Sequence, residues 1–242
     1  MLGALLAVGG TLLFYPTMFA LGAVLSAVDD SPVAQYPQHL KSVFEQRRLT
    51  YLPYGALPRC AIEGIVSVED KRFFLHPGVD PIAALRVALQ AIRNDHQDHG
   101  GSTITQQLSR MILREPRRHR SMPSELYSQL RVLQYALVLE HDYSKKQILE
   151  LYLNGAYYGD KAQGLEQAAR AYFRSDVSHL TTAQCFYLVG LLKAPTLYGN
   201  DPQGAAARRR YWHVLRTLRR NGYISPIQEL GLRDDKLFGS AL

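Results

Sequence analysis

Residues 61–80 read AIEGIVSVEDKRFFLHPGVD, and the fold class turns on how this stretch is read. Placed on a helix, Ile62, Ile65, Val66 and Phe73 fall along one side, with the spacing of a buried face. Glu69 lies in the middle of that side. Desolvation disfavours the ionised form of a carboxyl on an apolar face, which suits such a group to proton transfer near neutral pH. Lys71 and Arg72 are close enough in sequence to oppose that effect. The alternative is a carboxylate at a helix edge, paired with a base for structural reasons. His76-Pro77-Gly78 then closes the helix, since proline is disfavoured inside it and glycine permits the turn.

Working outward, the chain continues as helices with start signals. Asp80-Pro81 is an N-cap followed by proline in the first helical position. Ser144 with Gln147, Thr181 with Gln184 and Ser225 with Gln228 have capping-box spacing. Apolar residues recur at helical intervals after them, as in Ile148, Leu151 and Tyr152, or Phe186, Val189, Gly190 and Leu191. No run alternates with period two between turn residues, so a large sheet is not expected. No repeat of solenoid length is present. The expected class is mainly α.

A second polar centre is GGSTITQQLSR, Gly100 to Arg110. After two glycines, Ser102, Thr103, Thr105, Gln106 and Gln107 crowd a helix start, where N–H groups and the positive dipole end favour an anion. Thr103 and Gln106 also have box spacing, which is a purely structural use. One cap does not require five polar side chains, so a binding loop is the favoured reading. The preceding NDHQDHGG, residues 94–101, reads as a mobile loop.

The chain has 242 residues, 47% hydrophobic and 20% charged, enough for one cored domain and an appendage. Met1 to Val28 carries no charged side chain and exceeds the ~20 apolar residues that span a bilayer. It is expected to be a retained anchor; a cleaved signal peptide would carry a positive n-region and a shorter apolar run. Its flanks do not fix an orientation. Residues 29–56 form a linker and domain entry, with Asp29 to Pro37 linker-like; residues 57–235 form the body and 236–242 a tail.

The formal net charge is +7, with basic runs at Arg114–Arg120 and Arg208–Arg220. These read as solvated faces, or as surfaces for anionic headgroups or a phosphate-bearing substrate. Beside a membrane anchor, nucleic acid is the weaker partner. Cys60 and Cys185 are too few to define a disulfide framework and have no metal-ligand spacing; buried or lipid-side thiols are the default, and whether the two meet stays open.

At this point the motifs resemble those of a known family, the peptidoglycan glycosyltransferases (glycosyltransferase family 51), found alone or at the front of class A penicillin-binding proteins. EDKRFFLHPGVD resembles its first motif, Glu-Asp-x-x-Phe-x-x-His-x-Gly, and GGSTITQQLSR its second. SKKQILELYLNGAYYG, GLEQAARAYF and LVGLLKAPTLYGNDP match later stretches in order, so the resemblance runs from about Leu57 to Glu229. It implies a lysozyme-like helical domain with a mobile membrane-proximal subdomain, behind one N-terminal transmembrane helix.

The implied reaction polymerises lipid II into β-1,4-linked glycan strands with inversion and release of undecaprenyl diphosphate. The implied place is the outer, periplasmic face of the bacterial inner membrane, with the growing strand, the membrane and other cell-wall proteins as partners. Glu69 matches the general base. Substrate-binding roles carry over to Asp70, Arg72, Phe73, His76, Gly101, Ser102, Thr103, Thr105, Gln106, Gln107, Arg110 and Asn154. Arg110 stands where the family has a basic residue for the diphosphate leaving group.

No metal ligand set is assigned, although a divalent cation, Mg or Mn, could accompany the diphosphate. The chain has no Ser-x-x-Lys, so the penicillin-binding motif is absent and a monofunctional enzyme is expected. The third family motif, Arg-Lys-x-x-Glu, is degenerate here: Ser128 and Gln129 replace the basic pair and Val132 the glutamate. Glu125, seven residues earlier, lies on the same helix face but roughly 10 Å away. The alternative function is therefore a low-turnover or inactive protein that binds lipid II as a scaffold.

Overall fold

The computed structural model describes residues 16–25, 27, 32–83, 101–113, 122–234 and 237, the side chains of 122–126 and 234 excepted. The described residues are mainly helical, as the periodicity predicts. The principal helices are α1 (Pro32–Gln46), α2 (Arg59–Glu69), α3 (Ile104–Leu113), α4 (Met122–Asp142), α5 (Lys145–Gly155), α6 (Leu165–Phe173), α7 (Thr182–Leu191), α8 (Pro195–Gly199), α9 (Ala205–Arg220) and α10 (Pro226–Asp234). Among the described residues the only β pairing is an isolated antiparallel bridge between Tyr157 and Gln163.

The start signals work as the sequence predicts. Asp80 Oδ1 accepts the N–H groups of Ile82 and Ala83, each at 3.0 Å. Complete boxes form at Thr181–Gln184, Ser144–Gln147 and Ser225–Gln228. Each satisfies two of the N–H groups that a helix start leaves without intrahelical partners.

The chain folds into two compact units, Met1–His39 with Arg72–Ile148, and Leu40–Lys71 with Leu149–Leu242. In the first, α3 packs on α4, burying Ile104, Leu108 and Ile112 of α3 and Val132, Tyr135, Ala136 and Leu139 of α4. In the second, α2, α7 and α9 pack on one another. Cys60 is joined to Cys185, and one turn further along both helices Gly64 meets Val189, with the ring of Phe186 beside it. A Cβ on Gly64 would lie 3.0 Å from Val189 Cγ2 and 3.2 Å from Phe186 Cδ1. The contacts advance in the same direction on both helices, so α2 and α7 run parallel, and glycine sets how closely they approach.

Four expectations change. The apolar side from Ile62 to Phe73 is not one helix: the chain leaves helical geometry at Asp70 (φ −155°, ψ 74°), so Glu69 is the last helical residue and Phe73–Leu75 forms a separate 3₁₀ turn. His76-Pro77-Gly78 shapes a later turn, with Gly78 at φ +84°. The linker-like stretch is partly helical, since α1 begins at Pro32 and contains Pro37. The cysteines are a disulfide rather than two thiols, because parallel α2 and α7 bring their first turns together. The anchor expected at 1–28 falls largely outside the described residues; residues 16–25 are helical. Among the described residues no helix is long and apolar enough to cross a membrane.

The disulfide closes a 125-residue separation, and removing such a link typically costs about 2–5 kcal/mol. Urea unfolding with and without reductant checks this: the midpoint is expected to fall on reduction, and the Cys60→Ser, Cys185→Ser double variant to match the reduced protein.

Candidate active site

In the second unit the candidate base, Glu69, is the last residue of α2. Arg210 Nη2 donates to Glu69 Oε1 at 3.1 Å, and the two side chains are only 12% and 11% exposed, Glu69 first. Arg210 Nε donates to the carbonyl of Gly190, also at 3.1 Å. Asn221 Nδ2 donates to the carbonyl of Ser67 at 2.9 Å. The last turn of α2 is therefore held through its backbone and its terminal side chain.

In sequence, Lys71 and Arg72 are the basic residues nearest to Glu69. Arg72 instead forks onto Asp80 within the first unit, with two hydrogen bonds of 3.0 Å. A signal for Arg210 existed within the basic run. Ala207, Tyr211, Val214 and Leu218 form the buried stripe of α9, and position 210 falls on that stripe by helical period. Arg208, Arg209, Arg216, Arg219 and Arg220 are exposed, as a solvated face requires. The other basic run, Arg114–Arg120, lies outside the described residues.

Asn154 has a structural occupation. It is buried, donates to the carbonyls of Leu52 and Glu150 at 2.8 Å and accepts the Leu52 N–H at 2.9 Å. Both its donors and its oxygen serve backbone, so the geometry supports a clamp on residue 52 in place of a substrate contact. Asp70 is buried at the C-cap of α2.

In the first unit the polar start of α3 is largely explained by neighbours. Thr103 and Gln106 form the box, at 2.9 and 3.1 Å. Thr103 Oγ1 also donates to the Gly78 carbonyl at 2.6 Å, and Thr105 Oγ1 donates to Glu140. Lys145 Nζ donates to Glu140 at 2.7 Å and to the His76 carbonyl at 2.6 Å. It also sits 4.2 Å above the Phe73 ring, which is fully buried and so belongs to the core more than to a ligand surface. Gly78 is required here, because a Cβ would lie 2.9 Å from the Ala136 carbonyl. The 76–78 turn and the α3 start are thus tied to one carboxylate. Glu140 and Lys145 were not among the expected site residues, because nothing local marks two α4–α5 charges as partners of distant turns.

Gly101, Ser102, Gln106, Gln107 and Arg110 remain partly exposed on this element, whereas His76, Thr103 and Thr105 are buried. Arg110 Nη2 donates to Gln129 Oε1 at 2.6 Å. The residue in place of a family cation therefore orients the cation on α3. Val132 is 1% exposed and Ser128 4%, so hydrocarbon occupies the place of the third-motif glutamate. Residues 127–132 carry no carboxylate to hold a divalent cation, and the side chain of Glu125 lies outside the described residues.

Burial pushes the Glu140 carboxyl above the ordinary carboxylate range, outweighing Lys145 and the Thr105 hydrogen bond. The native state then holds that proton more tightly than the unfolded chain, so the associated stability is complete at low pH and lost as pH rises through the native value. The urea midpoint is expected to contain a component that declines with rising pH just above the ordinary carboxylate range. Glu140→Gln is expected to remove that component, measured by urea titration at a series of pH values.

Comparison with known proteins gives this geometry its context. A family model described as Transglycosylase matches residues 36–219. Penicillin-binding protein 1A of Escherichia coli is 35% identical over 206 residues, 84% of this chain and 22% of that protein. Penicillin-binding protein 1A of Aquifex aeolicus is 36% identical over 180 residues, 74% of this chain and 24% of that protein. The chain thus spans about a quarter of the length of these two relatives. A protein of Cupriavidus necator named "Putative transglycosylase" is 36% identical over 175 residues, 72% of this chain and 73% of its own length. The chain belongs to the transglycosylase family, glycosyltransferase family 51, and carries the glycosyltransferase domain of peptidoglycan synthesis that class A penicillin-binding proteins share.

Proposed function

We propose that the protein polymerises lipid II, joining sugars by β-1,4 bonds with inversion and releasing undecaprenyl diphosphate. The observation that carries the reading is the mounting of Glu69, a carboxylate at a helix end held at 3.1 Å by an anchored guanidinium, in a chain of this family. As general base, Glu69 takes the proton of the acceptor sugar hydroxyl while that oxygen attacks the anomeric carbon of the donor. The sugar–phosphate bond breaks and the diphosphate leaves with the electron pair. In the first unit, the start of α3 and Arg110 carry N–H groups and positive charge of the kind that suits a diphosphate.

The disulfide supports a location outside the cytoplasm, since such bonds form and persist in oxidising compartments. The proposed place is the periplasmic face of the inner membrane, with residues 1–28 as anchor and a mobile membrane-proximal subdomain within a lysozyme-like domain. The exposed basic face of α9 suits anionic headgroups.

A second reading has its own observation. Buried Val132 and an Arg110 oriented by a neutral amide leave the third-motif stretch without its acid, which favours lipid II binding with little turnover.

Polymerisation of purified lipid II, with and without Mg, separates the two readings. The enzyme reading expects glycan product from the wild type and a loss of at least about 10²-fold on Glu69→Gln. Lipid II binding without product, indifferent to Glu69→Gln, would establish the scaffold.

A further inference from the structure

The mounting of Glu69 assigns a role to a residue outside the motifs. We propose that Arg210 is a positioning residue for the glycosyl transfer: it fixes the orientation of the Glu69 carboxylate. The proposal rests on the reading of Glu69 as general base.

Glu69 is the last residue of α2, and Asp70 has already left helical geometry. A side chain with three rotatable bonds at a helix end needs an external constraint to hold one direction. Arg210 supplies it with two donors of one rigid planar group, Nη2 on Glu69 Oε1 and Nε on the Gly190 carbonyl. Gly190 is the penultimate residue of α7, the helix joined to α2 by Cys60–Cys185 at their other ends. The guanidinium therefore references the carboxylate to a rigid neighbouring element.

The sequence context supports a dedicated role. Arg210 is the arginine of its run that falls on the buried stripe of α9, with 11% of its side chain exposed. Leucine or alanine would suit that stripe if packing were the sole requirement. A partly buried ion pair is weak evidence for stability, because desolvation opposes the attraction. Orientation of a reacting group is what such a pair can supply, and misplacement by about 1 Å can lower a rate ~10²-fold.

Lysine at 210 keeps the charge but lacks two donors at a fixed separation. The test measures kcat and KM for lipid II polymerisation by the full chain as wild type, Arg210→Lys, Arg210→Met, Glu69→Gln and the Glu69→Gln, Arg210→Met double variant. Thermal unfolding of each serves as the folding control. Both Arg210 variants are expected to lose kcat, Arg210→Met by about 10²-fold and Arg210→Lys by about 10-fold or more, with KM within about threefold of wild type. The double variant is expected to be no slower than Glu69→Gln, because Arg210 acts through that carboxylate.

A folded Arg210→Lys with wild-type kcat, alongside an inactive Glu69→Gln, would overturn the positioning role and leave the general base standing. A fully active Glu69→Gln would overturn the base and, with it, the role of Arg210. A double variant much slower than Glu69→Gln would show that Arg210 acts by another route, which also overturns the proposal.

Discussion

The second unit depends on how closely α2 and α7 approach at Gly64. With no side chain there, Val189 and Phe186 close against the α2 backbone, and two parallel helices lie near enough for other contacts to form. Cys60 and Cys185 can then bond across their first turns. At the opposite ends, one guanidinium can reach both the Gly190 carbonyl and the Glu69 carboxylate. A bulkier residue at 64 would separate the helices by part of an ångström to clear 3.0 Å contacts. Well-packed interiors transmit such shifts instead of absorbing them, so the spacing at Gly64 governs whether Arg210 can reach both of its acceptors.

The first unit uses electrostatics where the second uses packing. Glu140 is withdrawn from water and pushed up by burial, yet Lys145 and Thr105 converge on it. Lys145 also holds the His76 carbonyl, and Thr103 holds that of Gly78. Buried carbonyls need donors, and here those donors come from the α3 start and from α5. The polar crowding after Gly101 therefore has two components. Thr103, Thr105 and Gln106 organise the turn, while Ser102, Gln107 and Arg110 stay partly exposed on the face proposed to meet the diphosphate.

Much of this could be read before the structure, and the failures share a cause. Capping boxes at Thr103, Ser144, Thr181 and Ser225 are local devices, with both partners three residues apart, and each forms. The helical class and the burial of Ile65 and Val66 followed from periodicity. The end of α2 was misplaced because apolar spacing continues to Phe73 although the backbone breaks at Asp70. Arg210, Lys145 and the cysteine pair were missed because their partners are distant: Glu69 lies 141 residues from Arg210, His76 lies 69 from Lys145, and the cysteines are 125 apart. Periodicity marks which side of a helix is buried but not what it meets. The degenerate third motif illustrates the same limit. Val132 was legible as a loss, whereas the use of Gln129 to orient Arg110 required the packing of α3 on α4.

The central claim is that Arg210 holds the Glu69 carboxylate, and through it the end of α2, against α7. Hydrogen–deuterium exchange of the full-length protein tests it without reference to turnover, by following the amides of residues 66–70 in wild type and Arg210→Met. The account predicts faster exchange in the variant, confined to that last turn and including the Asp70 N–H that bonds the Val66 carbonyl, with α7 near Cys185 unchanged. Identical exchange at residues 66–70 in the two proteins would contradict it.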